Sequence, residues 1–151
     1  MRISIAAIGK SGQSPEHDLV HRYFNRLPHK GTLIERDSSK TSGRAGKRDE
    51  GKRLLAALPE QCKLVVLDET GVNLSSVKWA EQISNWRDDG IRDAVFAIGG
   101  ADGHSEDVLA AADKTLAFGV QTWPHMLVRA MLAEQLYRAE MILARHPYHH
   151  A

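Results

Sequence analysis

The chain has one cysteine, Cys62, among 151 residues, so no internal disulfide can form, which agrees with a reducing compartment. It has no apolar run long enough to span a bilayer. The apolar stretch of the opening MRISIAAIGK is too short for a secretory signal before polar residues resume. A cytoplasmic location is therefore expected. Net charge is also nearly absent: 20 Lys and Arg oppose 19 Asp and Glu, leaving +1. Any affinity for nucleic acid must come from where the cations lie, not from their excess. GxGxxG, which a dinucleotide fold needs between a strand and a helix, is missing, and no GK[ST] stands in the context of a phosphate loop. His17 and His21 have a metal-compatible spacing but no Glu or Cys completes a set, so no metal is expected.

What is present fits one domain over residues 1–151, large enough for a sizeable core. Arg2–Ile8 and Thr32–Arg36 read as strands. Lys63–Leu67 (KLVVL) and Ala94–Ile98 (AVFAI) are continuous apolar runs. Helical patterns lie between them: from Pro15, capped by Ser14, to before Pro28; from about Lys47 to Leu58; and over Ser75–Asp89, with Val77, Ala80, Ile83, Ser84 and Trp86 facing the core. Strands that are apolar throughout and linked by helices predict a parallel sheet covered on both faces, a three-layer α/β sandwich. Ser105–Asp113 reads as a further helix and Thr115–Phe118 as a short strand.

The longest apolar helix follows the loop Phe118–Trp123. Thr122 is a candidate cap and Pro124 suits the first turn. Only a narrow polar stripe through Arg129, Glu134 and Arg138 interrupts its apolar surface, which predicts one face on the sheet and another on a second subunit. Between Lys40 and Arg53 six basic residues oppose two acidic ones, as expected of a mobile loop able to neutralise phosphates.

Ligands of open parallel sheets bind beyond the carboxyl ends of the strands. That rule selects three loops: LDETG from Leu67, GGADG at Gly99–Gly103, and FGVQTW at Phe118–Trp123. Their glycines allow close backbone approach and N–H donation, which suits a compact adenosine-type or other small ligand held largely by backbone groups.

The ordered set VVLDETG, FAIGGADGH, TWPHMLVRAMLAEQLYRA and the terminal HPYHH resembles the ribosomal RNA large-subunit methyltransferase H family of the SPOUT class, over essentially the whole chain. The resemblance implies S-adenosylmethionine-dependent methylation of a pseudouridine N3 in large-subunit ribosomal RNA, within the ribosome. It also implies a homodimer, a C-terminal trefoil knot, and no membrane or metal partner. The family's cofactor site carries over to Leu67, Gly99, Phe118, Gly119, Val120, Gln121, Thr122 and Trp123, acting chiefly through backbone groups. Its chemistry needs positioning and a base for the N3 proton. The candidates are His125, Tyr148 and His149, with Arg129 and Arg138 expected to contact phosphate or base and the tail to close over the target nucleotide. Ala101 and Asp102 depart from the family's residues after IGG, which leaves the role of Asp102 open. The rival readings are a non-catalytic RNA-binding module and a SPOUT enzyme acting on tRNA.

Overall fold

A computed structural model describes residues 1–150. Its five strands are β1 (Arg2–Ile8), β2 (Thr32–Arg36), β3 (Lys63–Val72), β4 (Asp93–Ile98) and β5 (Lys114–Leu116). They form one sheet in the order β2-β1-β4-β3-β5 with every pairing parallel. The helices are α1 (Pro15–Phe24), α2 (Gly43–Leu55), α3 (Ser76–Asp88), α4 (Glu106–Ala111) and α5 (His125–Leu143).

Alternation along the strands divides the core in two, as the two-residue period of a strand requires. Ile3, Ile5, Ala7, Val65, Phe96 and Ile98 face α1, α3 and α5, while Ala6, Ile8, Leu64, Val66, Val95 and Ala97 face α2 and α4. The expected three-layer sandwich is therefore present. Leu132 and Leu136 of α5 are wholly buried, so truncating either to Ala costs about 2–5 kcal/mol.

Several boundaries differ from expectation. On α3 the core is made by Trp79, Ala80, Ile83 and Trp86, whereas Val77 is exposed. The basic segment is not a mobile loop: α2 begins at Gly43, and its buried residues are Gly46, Gly51 and Leu54. Helix α5 has Pro124 at its N-cap, without a side-chain bond, so Thr122 does not cap it. Ser14 and Ser75 do cap α1 and α3, accepting from His17 N and Lys78 N.

Strand β3 runs five residues beyond its apolar run. It pairs with β5 at Leu67–Leu116, bulges outward, and meets the same residue again at Val72. Gly71 lies in that excursion, where a Cβ would sit 2.4–2.6 Å from the backbone of Leu116. Only glycine allows so close an approach. Just beyond, the Gly119 amide donates to Asn73 Oδ1 at 2.6 Å. The threading expected of the C-terminal segment fits this tight packing of 71–73 on 116–119.

Candidate functional site

The ends of β3, β4 and β5 enclose a cavity of about 490 Å³, within the range of small-molecule sites. Leu67, Ile98, Leu116 and Phe118 give it an apolar floor, and Asp68, Glu69 and Asp102 a polar rim. Its walls are held by their own hydrogen bonds. Gly103 N donates to Gly100 O at 3.0 Å, closing the loop after β4, and a Cβ on Gly99 would lie 2.9 Å from the Gly103 carbonyl carbon. Trp123 Nε1 donates to Phe118 O at 2.8 Å, and Thr70 N and Oγ1 both donate to Asp68 Oδ1. Gly119, at φ +87°, holds a backbone conformation that favours glycine. An adenosine-type group fits such a cradle, with glycine backbone within reach and an apolar floor.

Seven of the eight residues expected around the cofactor, Leu67, Gly99, Phe118, Gly119, Gln121, Thr122 and Trp123, line this cavity. Val120 does not; it is 91% exposed and its side chain supplies no apolar wall.

Two residues of the same loop carry roles that spacing did not reveal. His104 is buried, with Nε2 3.1 Å from the Leu67 carbonyl. Because a carbonyl only accepts, that nitrogen carries the hydrogen. Burial lowers the His104 pKa against the pull of Asp68, so a neutral imidazole ties the loop after β4 to the end of β3. Asp102 Oδ2 accepts from Gly43 N at 2.9 Å, supplying from a distant loop the cap that Ser42 fails to provide for α2. In the sequence, the only signal was a His and an Asp inside a glycine loop.

His125 opens α5 on the cavity wall. Burial and then the Arg129 charge lower its pKa, with Glu50 acting weakly in the opposite sense. Its imidazole is neutral near pH 7 and able to accept a proton. Arg129 is a different matter. It is 1% exposed, and its Nη2 donates to Ile8 O at 2.6 Å and Gly9 O at 3.0 Å, while Nη1 reaches Glu35 Oε1 at 2.7 Å. Glu35 also accepts from Ser11 N and Oγ. Burial would raise its pKa, but the Ser11 bonds and Arg129 outweigh it and hold the carboxyl below its ordinary range. The guanidinium thus fastens α5 to the exit of β1 and does not project to solvent, as the expected contact with RNA would require.

The tail lies elsewhere. Tyr148 Oη donates to Glu134 Oε1 at 3.0 Å, and its ring packs edge-on against Tyr137 at 4.8 Å. Arg138 Nε bonds the same Glu134 oxygen at 2.9 Å, its guanidinium lies 4.9 Å from the Tyr148 ring, and His149 Nδ1 is 3.5 Å from Arg138 Nη1. Arg26 covers the Tyr137 ring at 4.0 Å. Burial, with its hydrogen bonds to Tyr23 and Glu134, raises the Tyr148 pKa, so its phenol stays protonated and acts as a donor. Glu134 follows His125 by nine residues, which at 100° and 1.5 Å per residue places it on the opposite side of α5 and about 13 Å along it. Within one protomer the structure does not bring Tyr148 and His149 to the cavity. Beside the tail instead lies an apolar groove of about 520 Å³, lined by Leu19, Tyr23, Leu127 and Met131 among others.

A family model described as "Predicted SPOUT methyltransferase" matches residues 1–149. Proteins named ribosomal RNA large subunit methyltransferase H share 51% identity in Hyphomonas neptunium, covering all of both chains, and 50% in Paramagnetospirillum magneticum, covering 99% of each. The fold is shared with a probable methylase family protein from Haemophilus influenzae at TM-score 0.58 and 12% identity, covering 99% of this chain and 70% of that one. With the cavity geometry, these matches place the chain in the ribosomal RNA large subunit methyltransferase H family of SPOUT methyltransferases.

Proposed function

We propose that this protein methylates the N3 nitrogen of a pseudouridine in large-subunit ribosomal RNA, within the ribosome and in the cytoplasm, as a homodimer. The observation that carries the reading is the convergence of the loops after β3, β4 and β5 on one cavity with His125 on its wall, in a chain half identical to relatives bearing that name. S-adenosylmethionine, bound in this cavity, supplies an electrophilic methyl group. The chain's own residues do the rest. The glycine-bearing loops hold the adenosine portion, Phe118 and Leu67 exclude water from it, and His125 takes the N3 proton as the ring nitrogen becomes the nucleophile.

The dimer is supported by the apolar groove along α1 and α5, where Leu127 is 36% exposed. It is supported equally by the placement of the tail. Tyr148 and His149 face away from their own cavity, so two copies related by a two-fold axis through the groove would bring each tail toward the partner's cavity. Arg138, Tyr148 and His149 then meet the target nucleotide.

The test is transfer of labelled methyl from S-adenosylmethionine to ribosomes lacking the modification, to free ribosomal RNA and to tRNA, followed by mapping of the product. Label on a large-subunit pseudouridine N3 is expected. Transfer to tRNA alone, or cofactor binding without any transfer, would overturn the reading. Sedimentation of an active monomer would overturn the shared site.

A further inference from the structure

Helix α2 presents an arrangement that the proposed chemistry does not use. Arg44, Arg48 and Lys52 are spaced at four residues, so they stand one turn apart, about 6 Å, and within about 80° around the axis. All three are exposed. Arg48 and Lys52 make no ion pair among the described residues, and Arg44 has only a loose, exposed contact with Glu106 at 3.6 Å. The two acids of the helix lie off this stripe. Asp49 is taken by Arg53 at 2.6 Å, and Glu50 points inward, where it accepts from Ser39 N and abuts Gly100.

The stripe is also fixed relative to the cofactor cavity. Asp102 caps the first turn of α2. A Cβ on Gly100 would lie 2.7 Å from the Glu50 carboxylate and 3.2 Å from Ile8 Cγ2, and one on Gly51 would lie 2.3 Å from Ser105 Oγ, so α2 and the segment after β4 pack closely at both glycines. Lys47, beside the stripe, lines both the cofactor cavity and the adjoining cleft of about 690 Å³. Evenly spaced cations match a strand of phosphates, and Arg44 and Arg48 line the cleft that adjoins the cavity.

We infer that the outer face of α2 is a track for the RNA backbone next to the modified nucleotide, with Arg44, Arg48 and Lys52 each neutralising a phosphate while the contacts through Asp102 and Gly100 keep the track in register with the cofactor loop. This rests on the function proposed above and names where that substrate lies. An acidic ribosomal protein is the competing occupant.

The test compares the wild type with Arg44→Gln/Arg48→Gln/Lys52→Gln and with a control of equal charge change on other surfaces, Arg22→Gln/Lys30→Gln/Arg92→Gln. Binding to protein-free large-subunit ribosomal RNA and to intact ribosomes is measured across salt concentration, beside S-adenosylmethionine affinity and thermal midpoint. Each phosphate contact contributes about 0.7–0.9 to the slope of log K against log salt, so the track variant should lose about 2–3 from its slope on both targets. Its cofactor affinity and thermal midpoint should be unchanged, and the control should lose less than 1. An unchanged slope, or an equal loss in the control, overturns the track. Loss on ribosomes but not on free RNA assigns the face to a protein partner and also overturns it. If the wild type transfers no methyl to ribosomes the underlying function fails; if it does and the slopes agree, only the track fails.

Discussion

Arg129 and Arg138 stand nine residues apart on α5 and illustrate two uses of one side chain. Arg129 is sealed, its charge met by Glu35 and two main-chain carbonyls. Arg138 has a side chain 27% exposed and is grouped with Glu134, Tyr148 and His149 in a polar cluster near the surface. The first half of the helix is anchored to the sheet, and the second half carries groups that remain reachable. In one protein, then, an arginine's worth to stability and its worth to substrate binding are opposed by burial: Arg129 commits Nη1 and Nη2 to Glu35 and two carbonyls and is 1% exposed, out of reach of a ligand in solvent.

The strongest way to break the contrast is to remove the Arg129 partner. Glu35→Ala leaves a buried cation with no counter-charge, which should cost about 3 kcal/mol, at the lower end of such effects because Glu35 retains some exposure. Urea unfolding measures it. A loss under 1 kcal/mol would show that water reaches the guanidinium and that the two halves of α5 are not different after all.

The same pair sharpens the contrast through pH. Glu35 has a pKa lowered from 4.5, so its contribution is fully present above that value and is lost as pH falls through the lower folded pKa. The histidines His104 and His125, lowered from 6.5, oppose protonation in the folded state. Their contribution is complete above 6.5 and declines as pH falls below it. Glu35→Gln should flatten the acid limb of stability below 4.5, and His104→Gln the limb below 6.5; chemical denaturation at a series of pH values resolves both.

A smaller effect is expected where α2 meets the cofactor loop. Asp102→Ala removes a cap and should cost about 1 kcal/mol, while weakening S-adenosylmethionine binding measured by calorimetry. Cofactor affinity identical to wild type would separate the loop from the helix.

The smallest stability effect should come from the reachable half. Tyr148→Phe deletes one bond to Glu134 and should lower stability by about 0.5 kcal/mol, yet reduce single-turnover methyl transfer at saturating ribosome at least several-fold. A normal rate with weakened ribosome binding would make the tail an RNA clamp only.

The layers of this fold are legible in its apolar runs, because a strand covered on both faces has no polar alternation to conceal it. The end of β3 is not, since DETGV is polar and is made a strand only by β5, over forty residues later in the chain. The start of α2 is equally hidden. It packs through Gly46 and Gly51, where a Cβ would strike Thr41 O and Ser105 Oγ, and contact through glycine leaves no apolar period to read. For the site, glycines after strands point to three loops and through them to the cavity. The fate of Arg129 was beyond local pattern: its carboxylate partner is 94 residues away, and an arginine on a helix looks the same whether it meets a phosphate or a buried acid.

The outward excursion of β3 also has a kinetic side. Leu67 and Val72 both pair with Leu116, so the rim residues Asp68–Gly71 are held at both ends by a strand that is absent until the last third of the chain has docked. Contacts so distant in sequence form slowly. The ligand cavity is complete only once β5 is in place, and a growing or truncated chain that stops before β5 should show no affinity for S-adenosylmethionine however much of the sheet it has built. Cofactor binding by such fragments would then report completion of the fold, and its onset along a truncation series should fall at β5.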